Sequence, residues 1–296
     1  MNAYRPSKFV IAPQVLPMFD RWFKFKTAAV APEPAPEPAL AVETQLDLAD
    51  AAYASGDYEG ALAIWAGLGH AGNAIAQRAI GQCFLQGKGI ERQVELALKW
   101  LKLSAEQGDA EGQRQLAEFY FKGEDGFPNE AEATAWYRRS ALLGNASAQD
   151  MLSWILAEDE NAPDYGQARV WALKAAEQGV ASSMTRLGLF YHNALGVERD
   201  ARAAAMWWER AAYRGDGDAQ AMLGAAYHLG SGRPRDPLEA LTWLKRARQN
   251  GSAFANRFYD AVWAACSDEQ RGEAARRLAL KLEPAPELAG NHGGAA

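Results

Sequence analysis

The 296-residue chain is 49% hydrophobic and 23% charged with a net charge of −6, enough apolar material for a core and an ordinary soluble composition. The acidic balance excludes a nucleic-acid partner as the leading expectation, because holding a polyanion needs a basic surface. Cys83 and Cys266 make no disulfide framework, the four histidines show no zinc spacing, and no run approaches the roughly 18 apolar residues of a membrane span.

Residues 1–30 form a basic, aromatic arm: Arg5, Lys8, Arg21, Lys24 and Lys26 face only Asp20, so a net +4 precedes an acidic body. Pro13, Pro17 and Asp20 interrupt the apolar core that a secretory leader would need, and a cytoplasmic protein is expected rather than a periplasmic one. A short helix from Pro17 would place Met18, Phe19, Trp22 and Phe23 on one face. Three roles fit such a face: a docking peptide for a partner groove, a peripheral membrane anchor, or an arm that packs on its own acidic body. Residues 31–44 read as a linker, because the alternating prolines of 31–38 favour an extended spacer of about 25 Å at about 3.1 Å per residue.

From residue 45 the chain repeats. The tryptophans of Ala97-Leu-Lys-Trp100, Ala133-Thr-Ala-Trp136, Ala168-Arg-Val-Trp171, Ala204-Ala-Met-Trp207 and Ala240-Leu-Thr-Trp243 recur every 36, 35, 36 and 36 residues. Eight residues beyond each stands Gly108, Gly144, Gly179, Gly215 or Gly251, and the same register carried back meets Ile64 and Gly72. A second column reads Ile80-Gly81, Leu116-Ala117, Leu152-Ser153, Leu187-Gly188 and Leu223-Gly224, each followed by Phe84, Tyr120, Leu156, Tyr191 or Tyr227. Its small residue admits a neighbouring helix and its aromatic fills the gap. A third column, Asp57, Gln93, Asn129, Asp164, Asp200 and Asp236, precedes alanine-rich periodic runs and predicts helix N-caps.

Each unit therefore predicts helix A, a glycine turn, helix B and a glycine stop. Such a pair cannot bury its apolar face alone and must stack on its neighbours. The turn His228-Leu-Gly-Ser-Gly-Arg-Pro-Arg-Asp236 resembles a phosphate loop by its glycines, but it follows a helix-forming run and falls in the repeat register. Residues 253–283 predict a capping helix pair, the first from Ala253 to Cys266 anchored by Phe254, Phe258 and Trp263, the second opened by Ser267-Asp-Glu-Gln270 and reaching about Leu282. Residues 284–296 read as a tail.

The columns L-G-x-x-Y, G-x-G, D-x-x-x-A-x-x-W and K-A-A-E-Q-G, fullest in Leu187–Gly215 and Ala168–Gly179, resemble the Sel-one-like repeat (SLR), a relative of the tetratricopeptide repeat. The resemblance spans residues 45–252 and departs from the pattern at Glu158–Pro163 and at Ala194. It implies an all-α, right-handed superhelical α/α solenoid of about six two-helix repeats with a C-terminal capping pair. It also implies that the A helices line a concave face, and that the protein is a scaffold or adaptor binding a partner peptide or helix there.

On that face the variable residues are the expected contacts: Gln77, Gln113, Glu118, Phe121, Gln149, Trp154, Arg186, His192, Asn193, Gln220 and His228. The recurring glutamine suggests either an exposed polar slot or a hydrogen-bonding strip for an extended peptide. His192 and His228 share one slot in adjacent repeats and are expected near each other, but no carboxylate or cysteine stands at ligand spacing, so neither a metal nor a cofactor is expected. Some relatives of the resembled family act on β-lactams, which makes a hydrolase the alternative. No nucleophile with a nearby base supports it, and the chain is expected not to be an enzyme; a membrane-surface assembly factor is the other alternative.

Overall fold

The computed structural model describes residues 41–280. Met18, Phe19, Trp22 and Phe23, and with them the arm, most of the proposed linker and the tail, lie outside these residues. Fourteen helices and no strand occur among the described residues.

Six of the A and B pairs are α1 (Val42–Ala54) with α2 (Tyr58–His70), α3 (Ala74–Gln86) with α4 (Val94–Glu106), α5 (Ala110–Lys122) with α6 (Glu130–Leu142), α7 (Ala146–Glu158) with α8 (Tyr165–Glu177), α9 (Ala181–Asn193) with α10 (Ala201–Tyr213), and α11 (Gly217–Leu229) with α12 (Pro237–Gln249). The final pair is α13 (Asn256–Ala265) and α14 (Asp268–Ala279). Each helix from α1 to α12 packs on the next in sequence, α13 and α14 both pack on α12, and A helices of adjacent repeats also touch, as α3 does α5 and α7 does α9. This is the stacking expected of a solenoid, in which no pair holds a core alone.

The columns account for the packing. Leu116, Leu152, Leu187 and Leu223 are fully buried and Ile80 nearly so. At Gly224 an added methyl would meet Leu244 Cγ at 2.8 Å and the Ala240 carbonyl at 3.1 Å, so helix B lies directly against the A-helix backbone. One residue past each expected tryptophan, Leu101, Tyr137, Ala172, Trp208 and Leu244 lie deepest, and Trp65 fills that place in the first pair. Burial pushes the Tyr137 hydroxyl up to about 12.

The third column caps as expected at Asp57, Asn129, Asp164, Asp200 and Asp236, each accepting from a first-turn N–H. Gln93 makes no such bond, since its longer side chain does not fold back onto the first turn. The backbone N–H of every cap from Gln93 to Asp236 donates to the carbonyl of the aromatic column, Phe84, Tyr120, Leu156, Tyr191 and Tyr227, at 2.8–3.1 Å. One bond thus closes each inter-helix turn, including the one after α7, where Asp159 accepts from Asn161 and Ala162 in place of a glycine.

Three boundaries differ from expectation. Helix α1 takes in Val42–Thr44, the last residues of the expected linker. No proline stands between Pro38 and Ala54, and Glu43 stands where the helix dipole favours an acid. Helix α13 starts at Asn256, not Ala253, and α14 ends at Ala279, short of Leu282. Trp263 is not a core anchor: it is exposed, stacks on Tyr259 and lies beside Lys245 and Arg271. Ala255, Val262 and Cys266 fill the core there instead. The Ser267 and Gln270 capping box is present as read.

Candidate partner-binding face

The A helices carry the expected contact residues, and the structure separates them into three groups. Gln77, Gln113, Gln149 and Gln220 are 4, 6, 4 and 1% exposed. Their placement as contact residues is therefore corrected: they belong to the interior. Each donates its Nε2 to a carbonyl near the end of the preceding B helix, Gly69, Ala105, Ala141 or Ala212, at 3.0–3.1 Å. A carboxamide is suited to this, because a buried helix end leaves carbonyls that need donors.

Glu118 and Arg186 are half-buried in ion pairs of the protein itself. Along α5, Arg114 bridges Glu111 and Glu118, Lys122 closes on Glu118, and Asn145, the cap of α7, donates to Glu111. Burial pushes the Glu111 and Glu118 carboxyls up, but the hydrogen bonds and charges of Arg114, Asn145 and Lys122 outweigh it, and both end below their ordinary value. Arg186 donates to Asp150, which also accepts from Ser182 and Ser183. These contacts tie neighbouring A helices together.

Phe121 and Trp154 are brought together. Their rings meet edge to face with centroids 5.8 Å apart, across α5 and α7, and Trp154 remains 39% exposed. An edge-to-face pair holds both rings in fixed orientation while leaving a face to a ligand. Asn193 is exposed at the end of α9. The two histidines each go to a different ring, His192 to Trp208 at 5.4 Å and His228 to Phe258 at 6.5 Å.

The tryptophan column on the B helices is no free stacking platform. Arg139, Lys174 and Arg210, one helical turn on, lie over Trp136, Trp171 and Trp207 at 4.3–4.8 Å from the ring centres. Among the described residues no group of three or more His, Cys, Asp or Glu could hold a metal ion. Burial pushes the Cys83 thiol up to about 11, so at neutral pH it is not a thiolate nucleophile. No described helix is long and apolar enough to cross a membrane.

Comparison with known proteins agrees with this architecture. A family model described as the Sel1 repeat matches residues 74–109, 110–145, 146–180, 181–216 and 217–252. A protective antigen of uropathogenic Escherichia coli strains with an SLR fold is 32% identical, with a TM-score of 0.74 over 80% of this chain and 52% of that one. A Sel1 repeat protein from Oxalobacter formigenes is 30% identical, with a TM-score of 0.69 over 78% of this chain and 98% of that one. Chitin synthase regulatory factor 3 of Schizosaccharomyces pombe is 30% identical over 120 residues, 39% of this chain but 13% of that protein.

Proposed function

This chain belongs to the Sel1 repeat family, whose members are generally protein-interaction scaffolds rather than enzymes, and on that premise we propose that its A-helix face seats a peptide or helix of a partner protein. The Phe121 and Trp154 pair carries this reading. It is the place where two of the expected contact residues meet without being consumed by internal bonds. Aromatic anchors of fixed orientation, ringed by polar groups, are the usual energetic centre of a protein interface. The hydrogen bond from Asn145 to Glu111 links α5 to the start of α7 and the edge-to-face contact fixes both rings, so the anchor is formed before a partner arrives and little ordering entropy opposes binding.

Affinity capture with the full chain, with Phe121→Ala/Trp154→Ala, and with a chain lacking residues 1–40 tests this. The double substitution is expected to lose the partners that the shortened chain keeps. If the double variant retains every partner while the shortened chain loses them, the binding function lies in the N-terminal arm and this reading fails.

A further inference from the structure

The four buried glutamines are not equivalent. In three repeats the glutamine uses both ends of its carboxamide, donating back to the preceding B helix and accepting from a carboxamide just past the following one. Gln107 donates to Gln77, Gln178 to Gln149 and Asn250 to Gln220, at 2.5–2.9 Å. The relay clamps successive B-helix ends through the A helix between them. In the repeat of residues 110–145 the donor is missing, because Leu143 stands where Gln107, Gln178 and Asn250 stand. Gln113 Oε1 is buried without a hydrogen-bond partner.

The same two positions are anomalous at the surface. Leu142 and Leu143 are 69% and 56% exposed, where the other three repeats of the relay carry Glu106-Gln107, Glu177-Gln178 and Gln249-Asn250. A buried acceptor left unpaired is destabilising, and two adjacent exposed leucines add nothing to the fold. In the 181–216 repeat, where Arg214 replaces the donor, Met184 replaces the glutamine, so no acceptor is stranded.

We propose that the end of α6 is a second binding site, for a partner polypeptide that inserts an asparagine or glutamine side chain toward Gln113 Oε1 and covers Leu142 with a neighbouring aliphatic residue. The protein's own repeats define this ligand chemistry, since three of them fill the same place with a carboxamide from the chain itself. Leu143, mostly in solvent, swings aside to admit the donor. The site rests on the reading of the chain as a polypeptide-binding scaffold but uses none of the Phe121 and Trp154 surface, so the two fail separately.

The probe is the capped dipeptide N-acetyl-leucyl-glutamine amide, titrated into the full chain labelled with nitrogen-15 in glutamine side chains. The Gln113 resonances are assigned by their loss in Gln113→Met. Those resonances are expected to shift with dose. Leu143→Gln, which supplies the donor internally, is expected to abolish the shift and raise the thermal midpoint. Leu143→Ala, which leaves the acceptor stranded, is expected to keep the shift, separating donor competition from a general loss of structure. The proposal is overturned if the wild-type resonances do not move, if Leu143→Gln responds like wild type, or if N-acetyl-leucyl-glutamate amide produces the same shift. Concentration-dependent dimerisation abolished by Leu142→Glu would likewise overturn it, by placing a second copy on the patch.

Discussion

Gly230 and Gly232 share one turn and one backbone conformation, with φ of +72° and +73°, yet their surroundings differ. A methyl on Gly230 finds nothing closer than 3.7 Å, whereas on Gly232 it would lie 1.9 Å from the carbonyl oxygen of Ala201, at the start of α10. The second glycine of the turn therefore presses on the previous repeat and sets the spacing between them. Gly230→Ala is expected to cost about 1 kcal/mol, the ordinary penalty of a left-handed residue. Gly232→Ala adds backbone overlap and is expected to cost about 3 kcal/mol or more. Urea unfolding of the two variants checks this, and equal losses would mean that the contact with Ala201 does not matter. Ala194 holds the same left-handed conformation at φ 58° without being glycine. Ala194→Gly is expected to stabilise by up to about 1 kcal/mol, the relief of strain being partly offset by a freer unfolded chain. The phosphate-loop resemblance of this turn dissolves at the same scale, because Asp236 occupies the helix N-terminus that a phosphate would need.

At the scale of the element, most helices are started by a short side chain and held to their neighbours by polar contacts. Helix α4 lacks the first of these, and Gln93→Asp is expected to raise stability by about 1 kcal/mol by capping its first turn. No change in the urea midpoint would show that first turn already satisfied. Helix α5 concentrates the second, through Glu111, Arg114, Glu118 and Lys122. The two carboxyls lie below their ordinary 4.5 in the folded chain. Their contribution is present above that pH and is lost as pH falls through the lower folded values, where the unfolded chain already binds the protons. Arg114→Met is expected to be destabilised relative to wild type at pH 7, and the gap should narrow below about pH 4.5. Paired urea titrations from pH 7 to pH 3 measure it, and a constant gap would show that Arg114 acts through packing of its stem alone.

Across residues 42–280 the core is passed from pair to pair, so its ends matter. Leu241, Leu244 and Ala247 of α12 are fully buried against Ala255, Val262, Cys266 and Ala274 of the last two helices. A chain ending at Gly251 would expose that surface, and it is expected to melt at lower temperature and to self-associate in size-exclusion chromatography. A truncated chain that stayed monomeric with an unchanged midpoint would show the last pair to be an appendage.

The period of the tryptophan, glycine and small-residue columns was enough to determine the repeat, the number of helix pairs, five of the six N-caps and the capping box, because these depend on residues close in sequence. Which residues face solvent was not legible in the same way. The glutamine column looked like an exposed strip, since glutamine is polar and helix-favouring, and its partners are carbonyls eight residues earlier on another helix and carboxamides about thirty residues later. Trp263 looked like an anchor because it is large and apolar, but it lies among cations at the surface while Val262 beside it is buried. The repeat register places Phe121 and Trp154 on the expected contact face, but their meeting depends on how α5 lies against α7. Local spacing determines helices and their ends. Burial and pairing are properties of the groove between helices, and only the tertiary stacking decides which side chains share it.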